Sequence, residues 1–133
     1  MPEDLPTRAA KTLSEHIDLQ KGGLQGAPKF PQPFLYQFLW QQAQLDADPN
    51  SRDAVLVTLE KICQGGMYDH IGGGFARYSV DADWLVPHFE KMLYDNALLV
   101  QLMTQVWRDT KSPLLAARIE ETLDWVRNEM TLA

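Results

Sequence analysis

Apolar positions recur at intervals of three and four along five stretches of the chain, the period of an amphipathic helix. The first runs from about Leu5 to Asp18, with Asp4 as N-cap, Pro6 in the first turn and Ala10, Leu13 and Ile17 on one face. The second, about Pro33 to Leu45, carries Phe34, Leu35, Phe38, Leu39 and Ala43 as its stripe. The third, about Arg52 to Gln64, follows a turn at Asp48-Pro49-Asn50-Ser51 and ends at Gly65. The fourth, about Phe89 to Asp109, is apolar nearly all round between Ala97 and Val106, which predicts burial on more than one side. The fifth, about 113–130, opens with Ser112 as N-cap and Pro113 at N1. It places Leu115, Ile119, Leu123, Val126 and Met130 on one surface-helix face. The pattern predicts an all-α fold of antiparallel helical hairpins.

The connections alternate in length. Those near residues 46–51 and 110–112 are short and predict helical hairpins. Those at about 19–32 and 65–88 are long and hold all eight glycines. In an up-down array alternate connections share an end, so the two glycine-rich loops are expected side by side. Loops this long in a compact domain are usually functional or disordered. The second carries Met67, Tyr68, Ile71, Phe75, Tyr78, Trp84, Leu85 and Val86, which argues for a packed, functional loop. Residues 75–80 and 84–86 flank Asp81-Ala82-Asp83 and suggest a short β-hairpin there.

Composition narrows the setting. Hydrophobic residues make up 45% of the 133 and charged residues 23%, so the chain reads as globular rather than disordered. Net charge is −6, which leaves no polybasic footprint for nucleic acid or an anionic membrane. Cys63 is alone, so the chain holds no disulfide, CxxC pair or cysteine-rich zinc site, and its place in a periodic run makes it a core residue. The first residues are charged and lack the apolar core of a secretory signal, and the longest apolar run, Ala97-Leu98-Leu99-Val100, stops at Gln101. A cytoplasmic, reducing compartment fits best.

Candidate chemistry concentrates between Tyr68 and Asp95. His70 and His88 can act as acid or base near neutral pH, with Asp69, Asp81, Asp83 and Glu90 nearby in sequence. His88 is expected near the N-terminus of the fourth helix, whose dipole disfavours a protonated imidazole. Glu90 and Tyr94 share a face of that helix. Lys91 and Asp95 read as an i,i+4 pair. Trp84, Tyr78 and Phe75 could form a stacking platform for a sugar ring, or simply core. A carboxylate pair for glycoside hydrolysis could come from Asp69, Asp81, Asp83 or Glu90, and spacing does not choose among them. No HExxH or EF-hand spacing supports a metal, and Gly72-Gly73-Gly74 matches neither GxGxxG nor a P-loop; neither metal nor cofactor is expected.

Three stretches carry a resemblance: Gly22 to Pro31 (GGLQGAPKFP), Tyr68 to Asp81 (YDHIGGGFARYSVD) and Trp84 to Ala97 (WLVPHFEKMLYDNA). They resemble the YyaL-like, thioredoxin-domain-containing proteins. Members of that family join a thioredoxin-like domain to an α/α toroid similar to N-acylglucosamine 2-epimerases and six-hairpin glycosidases. The resemblance implies that residues 1–133 are a partial toroid, inactive alone, whose partners are the rest of the ring and the thioredoxin-like domain. Its glycine-rich loops would line a cleft that binds or isomerises carbohydrate. His88 and His70 would be the acid and base, with Glu90 beside them. Arg77 and Lys29 would bind substrate oxygens and Trp84 or Tyr78 would stack on the sugar, with Asp81 and Tyr94 also among the substrate-binding residues. A non-catalytic helical scaffold and a hydrolase with paired carboxylates are the alternatives. An incomplete ring also implies exposed apolar surface and self-association.

Overall fold

The computed structural model describes residues 4–132. Among them there are five helices, α1 (Leu5–Glu15), α2 (Pro33–Asp46), α3 (Pro49–Gln64), α4 (Leu93–Thr110) and α5 (Pro113–Glu129), and no strand longer than an isolated β-bridge. The fold is all-α, as the apolar period predicts. Prolines stand in the first turn of α1, α2, α3 and α5, where a missing N–H costs nothing.

The helix ends differ from expectation where polar side chains compete for the backbone. Asp4 occupies the N-cap of α1 without a side-chain cap and instead pairs with Arg8 at 3.2 Å. α1 stops at Glu15 because Asp18 collects the N–H groups of Gln20 and Lys21 at 2.9 Å each, folding a turn that a helix excludes. α3 begins at Pro49 rather than Arg52. Asp48 accepts from the Asn50 N–H at 3.0 Å and from the Ser51 hydroxyl at 2.8 Å, so the expected turn is the helix cap itself. α4 begins at Leu93, four residues later than expected. The backbone before it is committed elsewhere: Arg77 N–H donates to the Glu90 carbonyl at 2.7 Å and His88 N–H to the Tyr78 carbonyl at 2.9 Å.

The helices pack as hairpins. α2 lies chiefly on α3 and α4 on α5, while α2 also meets α4 and α1 bridges α2 and α3. Leu39, Val55, Leu59, Ile62, Leu99, Leu102, Met103 and Val106 form the centre and are buried. Cys63 lies among them, and burial pushes its thiol up to about 12, as an inert core residue requires. Three stripes are rotated from expectation. On α2 the buried line is Tyr36, Leu39, Trp40 and Ala43, and Phe34 is 69% exposed. On α4 only one broad side is covered, leaving Ala97 and Gln101 exposed. On α5 Thr122 and Trp125 are buried while Leu123 and Met130 are exposed. The last rotation has a visible cause. The glycine-rich loop lies on the C-terminal half of α5 and takes Trp125 as its floor.

The two long connections interlock into a crown at one end of the bundle. Lys29 and Ser79 exchange both backbone hydrogen bonds at 2.8 Å. The Trp84 indole donates to the Lys21 carbonyl at 2.9 Å, and Lys21 pairs with Asp83 at 2.9 Å. Two glycines are required by this closeness. A Cβ at Gly66 would stand 1.9 Å from the Leu85 carbonyl oxygen. At Gly73, φ is +83° and a Cβ would lie 2.5 Å from the Glu121 carbonyl. The expected hairpin exists only as rungs, with Val80 N–H donating to the Val86 carbonyl at 2.9 Å and Ser79 bridged to Pro87. Proline at 87 has no N–H with which to extend the ladder.

Candidate functional site

The crown owes its shape to a few polar side chains that bind backbone. Asp81 accepts from the Ser79 hydroxyl at 2.6 Å and from the N–H groups of Val86, Asp83 and Leu85 at 2.8, 2.9 and 3.1 Å. Partial burial pushes this carboxyl up, but the donors together hold it well below the usual carboxylate range. Asp69 does the same one turn earlier. The Gly72 N–H and the Lys91 ammonium, 2.6 Å away, bring it down to about 2. Asn96, fully buried in the first turn of α4, accepts from Phe75 N–H at 2.7 Å and donates to the Phe75 carbonyl at 3.1 Å. It thereby clips the glycine-rich loop to the helix.

On one flank of this frame lies an open groove of about 310 Å³ between residues 30–33 and the start of α4, with Arg77, Tyr94 and Asp95 on it. Beside it Phe30 stacks on Tyr78 and Tyr78 on His88, each at 4.7 Å between ring centres. Glu90 sits between a guanidinium and an imidazole, 3.6 Å from Arg77 Nη1 and 3.9 Å from His88 Nδ1. Asp95 Oδ2 is buried and has no hydrogen-bond partner. Burial raises its carboxyl above the ordinary value, and the Glu90 charge adds to that while Arg77 opposes it. A desolvated acid, a guanidinium and aromatic rings around one groove can hold a polar ring and can exchange a proton with it.

A second groove of about 430 Å³ opens on another flank, lined by His70, Ile71, Pro87, Phe89 and Lys91. Ile71 and Phe89 stand almost wholly in solvent beside it. His70 Nε2 lies 2.8 Å from the Gly65 carbonyl, and its ring meets Tyr68 edge-on.

The residues expected to carry chemistry are thus divided. Arg77, Tyr78, His88, Glu90 and Tyr94 gather on the first flank. His70 does not join them, and neither groove is lined by both histidines. His88 precedes α4 by more than a turn, so the dipole expected to act on it is not at hand. Glu90 is likewise outside the helix, and Lys91 pairs with Asp69 instead of Asp95. Trp84 is completely buried and offers no face to a ligand. Lys29 is 2% exposed, with Nζ on the Gly22 carbonyl at 2.5 Å, so it braces the crown rather than reaching a substrate; burial pushes its ammonium below the ordinary value. Asp81 is occupied by its own loop. Phe30 and Gln32 are not among the expected site residues, and Asp95 is expected as the partner of Lys91 and not as a lining residue. Pro31 and Pro33 flank a left-handed Gln32 (φ 38°), and that proline pair was the available signal.

Comparison with known proteins places the chain beside longer relatives. It is 37% identical over 129 residues to mouse spermatogenesis-associated protein 20, covering 94% of this chain and 16% of that protein. With the human protein of the same name it shares 43% identity over 105 residues, 76% of this chain and 13% of the relative. The rat protein of that name matches at 41% over 106 residues, 77% of this chain and 13% of the relative. The chain therefore spans 13–16% of the length of these curated relatives. No protein-family model matches it.

Proposed function

We propose that this chain is part of an α/α toroid in a longer, thioredoxin-domain-containing protein, and that its crown binds carbohydrate, isomerising it in the complete ring. The observation that carries the reading is the Phe30–Tyr78–His88 stack beside Arg77 and Glu90, an aromatic surface edged by a cation, an acid and a titratable base. Aromatic faces pack on the apolar side of sugar rings while charged groups take their hydroxyls. The hairpin packing of α2 with α3 and of α4 with α5 is the repeat such a ring uses. The sequence resemblance supplies the sugar-epimerase analogy, and an analogy of fold leaves the reaction to be tested. In this reading His88, with Glu90 near its Nδ1, is the proton-transferring group.

The test uses the full-length protein. N-acetyl-D-glucosamine, D-glucose and D-mannose are added in deuterated water, and incorporation of deuterium at C2 is followed by NMR. Exchange is expected in the natural protein and a loss of at least tenfold in His88→Asn. Release of free sugar from oligosaccharides without C2 exchange would instead support the hydrolase with paired carboxylates. Failure of every sugar to bind would overturn the carbohydrate reading. A second reading, a non-catalytic scaffold, is favoured by one observation: Lys29, Asp69, Asp81, Trp84 and His70 are all engaged within the crown itself.

A further inference from the structure

We propose that the groove between residues 30–33 and the first turn of α4 is a subsite for a single neutral, hydroxyl-bearing ring, with Asp95 accepting from one ligand hydroxyl and Arg77 donating to another. The proposal rests on the carbohydrate reading and assigns to it a binding residue, Asp95, and a substrate charge class.

Three carboxylates of the crown make the case by contrast. Asp69 and Asp81 are partnered by N–H groups, a hydroxyl or an ammonium. Asp95 Oδ2 is buried and has no donor at all. A buried acceptor without a partner costs stability, and a ligand hydroxyl at the groove can supply the missing donor. The groove onto which Asp95 opens is about 310 Å³, at the small end of ligand cavities, which suits one ring rather than a chain of them. Phe30 and Tyr94 border it and remain 42% and 53% exposed, so each keeps surface open to a ligand although Phe30 also stacks on Tyr78.

Charge selects the ligand. Asp95 and Arg77 line the same groove, and Glu90 stands 3.6 Å from Arg77. A cationic ligand would meet Arg77, and an anionic one would meet Asp95 and Glu90. A hydroxyl donates and accepts, so a neutral polyol satisfies both sides without a charge conflict. Gln32 holds a left-handed backbone at the groove edge (φ 38°, ψ 62°), a strained conformation of the kind found at ligand clamps.

The test compares the natural full-length protein with Asp95→Asn, probing each with D-glucose, D-mannose, methylammonium and acetate by NMR titration. Sugar resonances are expected to perturb Phe30, Arg77 and Tyr94, and the variant to bind at least tenfold more weakly. In the absence of sugar the variant should melt at the same temperature or higher, because a desolvated charge has been removed. The sign of its pH dependence follows. The groups bearing on Asp95 are Arg77 and Glu90, and its carboxyl titrates above 3.8, so the ionised form costs stability as pH rises past that value. The gain of the variant should therefore vanish below pH 3.8. Equal sugar affinity in the variant, a lower melting temperature, or sugar contacts elsewhere on the crown would overturn the subsite and leave the carbohydrate reading standing. Preferred binding of methylammonium or acetate would overturn the neutral-ligand assignment. Absence of any sugar response would overturn both.

Discussion

Between Leu39 and Val106 the helices meet through aliphatic side chains that have lost almost all contact with water, whereas the crown above them is tied by polar side chains to backbone. In the bundle a residue contributes through apolar area, and another of similar volume does nearly as well. In the crown a residue contributes through the position of one or two atoms. Asn96 binds both backbone groups of Phe75, and Asp81 gathers the N–H groups of a whole turn. A long loop without sheet or helix must satisfy its backbone somehow, and here side chains share that work with isolated backbone rungs. The crown is thereby rigid enough to present the groove, yet its stability depends on few atoms.

The sharpest way to break this contrast is Asn96→Ala set against Leu102→Ala. Removing the amide strands the Phe75 N–H and carbonyl in a dry interior, a loss of about 3 kcal/mol. Truncating Leu102 leaves a cavity in the bundle and costs a similar amount, about 3 kcal/mol. Equal denaturant midpoints should hide different local effects in amide hydrogen exchange. In the Asn96 variant protection is expected to fall first at Phe75, Ala76 and Gly73, with α2 and α3 still protected. Uniform loss in both variants would show the bundle and the crown to be one cooperative unit.

The carboxylates of the crown give the next effect. Asp81 titrates far below 3.8 when folded, so its stabilisation is present above that pH and is lost as pH falls toward the folded value. Asp81→Asn keeps one acceptor and should cost about 1–2 kcal/mol at pH 7, a figure reduced for partial exposure of the carboxylate. The variant should also lose less on acidification than the natural protein when thermal midpoints are followed from pH 7 to 3. An equal acid response in the two would remove Asp81 from the set of groups that hold the crown.

This same contrast explains what could be read from the chain in advance. Helix number, hairpin order and the coming together of the glycine-rich loops follow from apolar period and connection length. Both are visible in one dimension. The late start of α4 and the rotation of α5 toward Trp125 depend on partners far along the chain, whereas the Asp48 cap is made by its own neighbours, Asn50 and Ser51. The concentration of site chemistry in residues 77–94 was legible as a cluster of residue types. Which members stay free was not, because Trp84, Lys29 and Asp81 reveal their occupation only when Gly23, Gly22 and Val86 are brought beside them.

The smallest effect is expected at the opposite end, where the bundle has polar contacts of its own. Arg52 Nη1 lies 2.7 Å from Asp109 and its guanidinium 5.1 Å from the Trp40 ring centre. By distance alone this pair rivals Lys91 with Asp69. Its two side chains are 39% and 43% exposed, however, and no backbone group depends on either for that contact. Water replaces the lost partner, so Arg52→Ala should cost only about 0.5 kcal/mol and less in high salt. Part of that small loss is packing on Trp40, which Arg52→Met would restore. Should Arg52→Ala destabilise as much as Asp81→Asn, the distinction would fail, because exposed ion pairing would then match side-chain satisfaction of the loop backbone in strength.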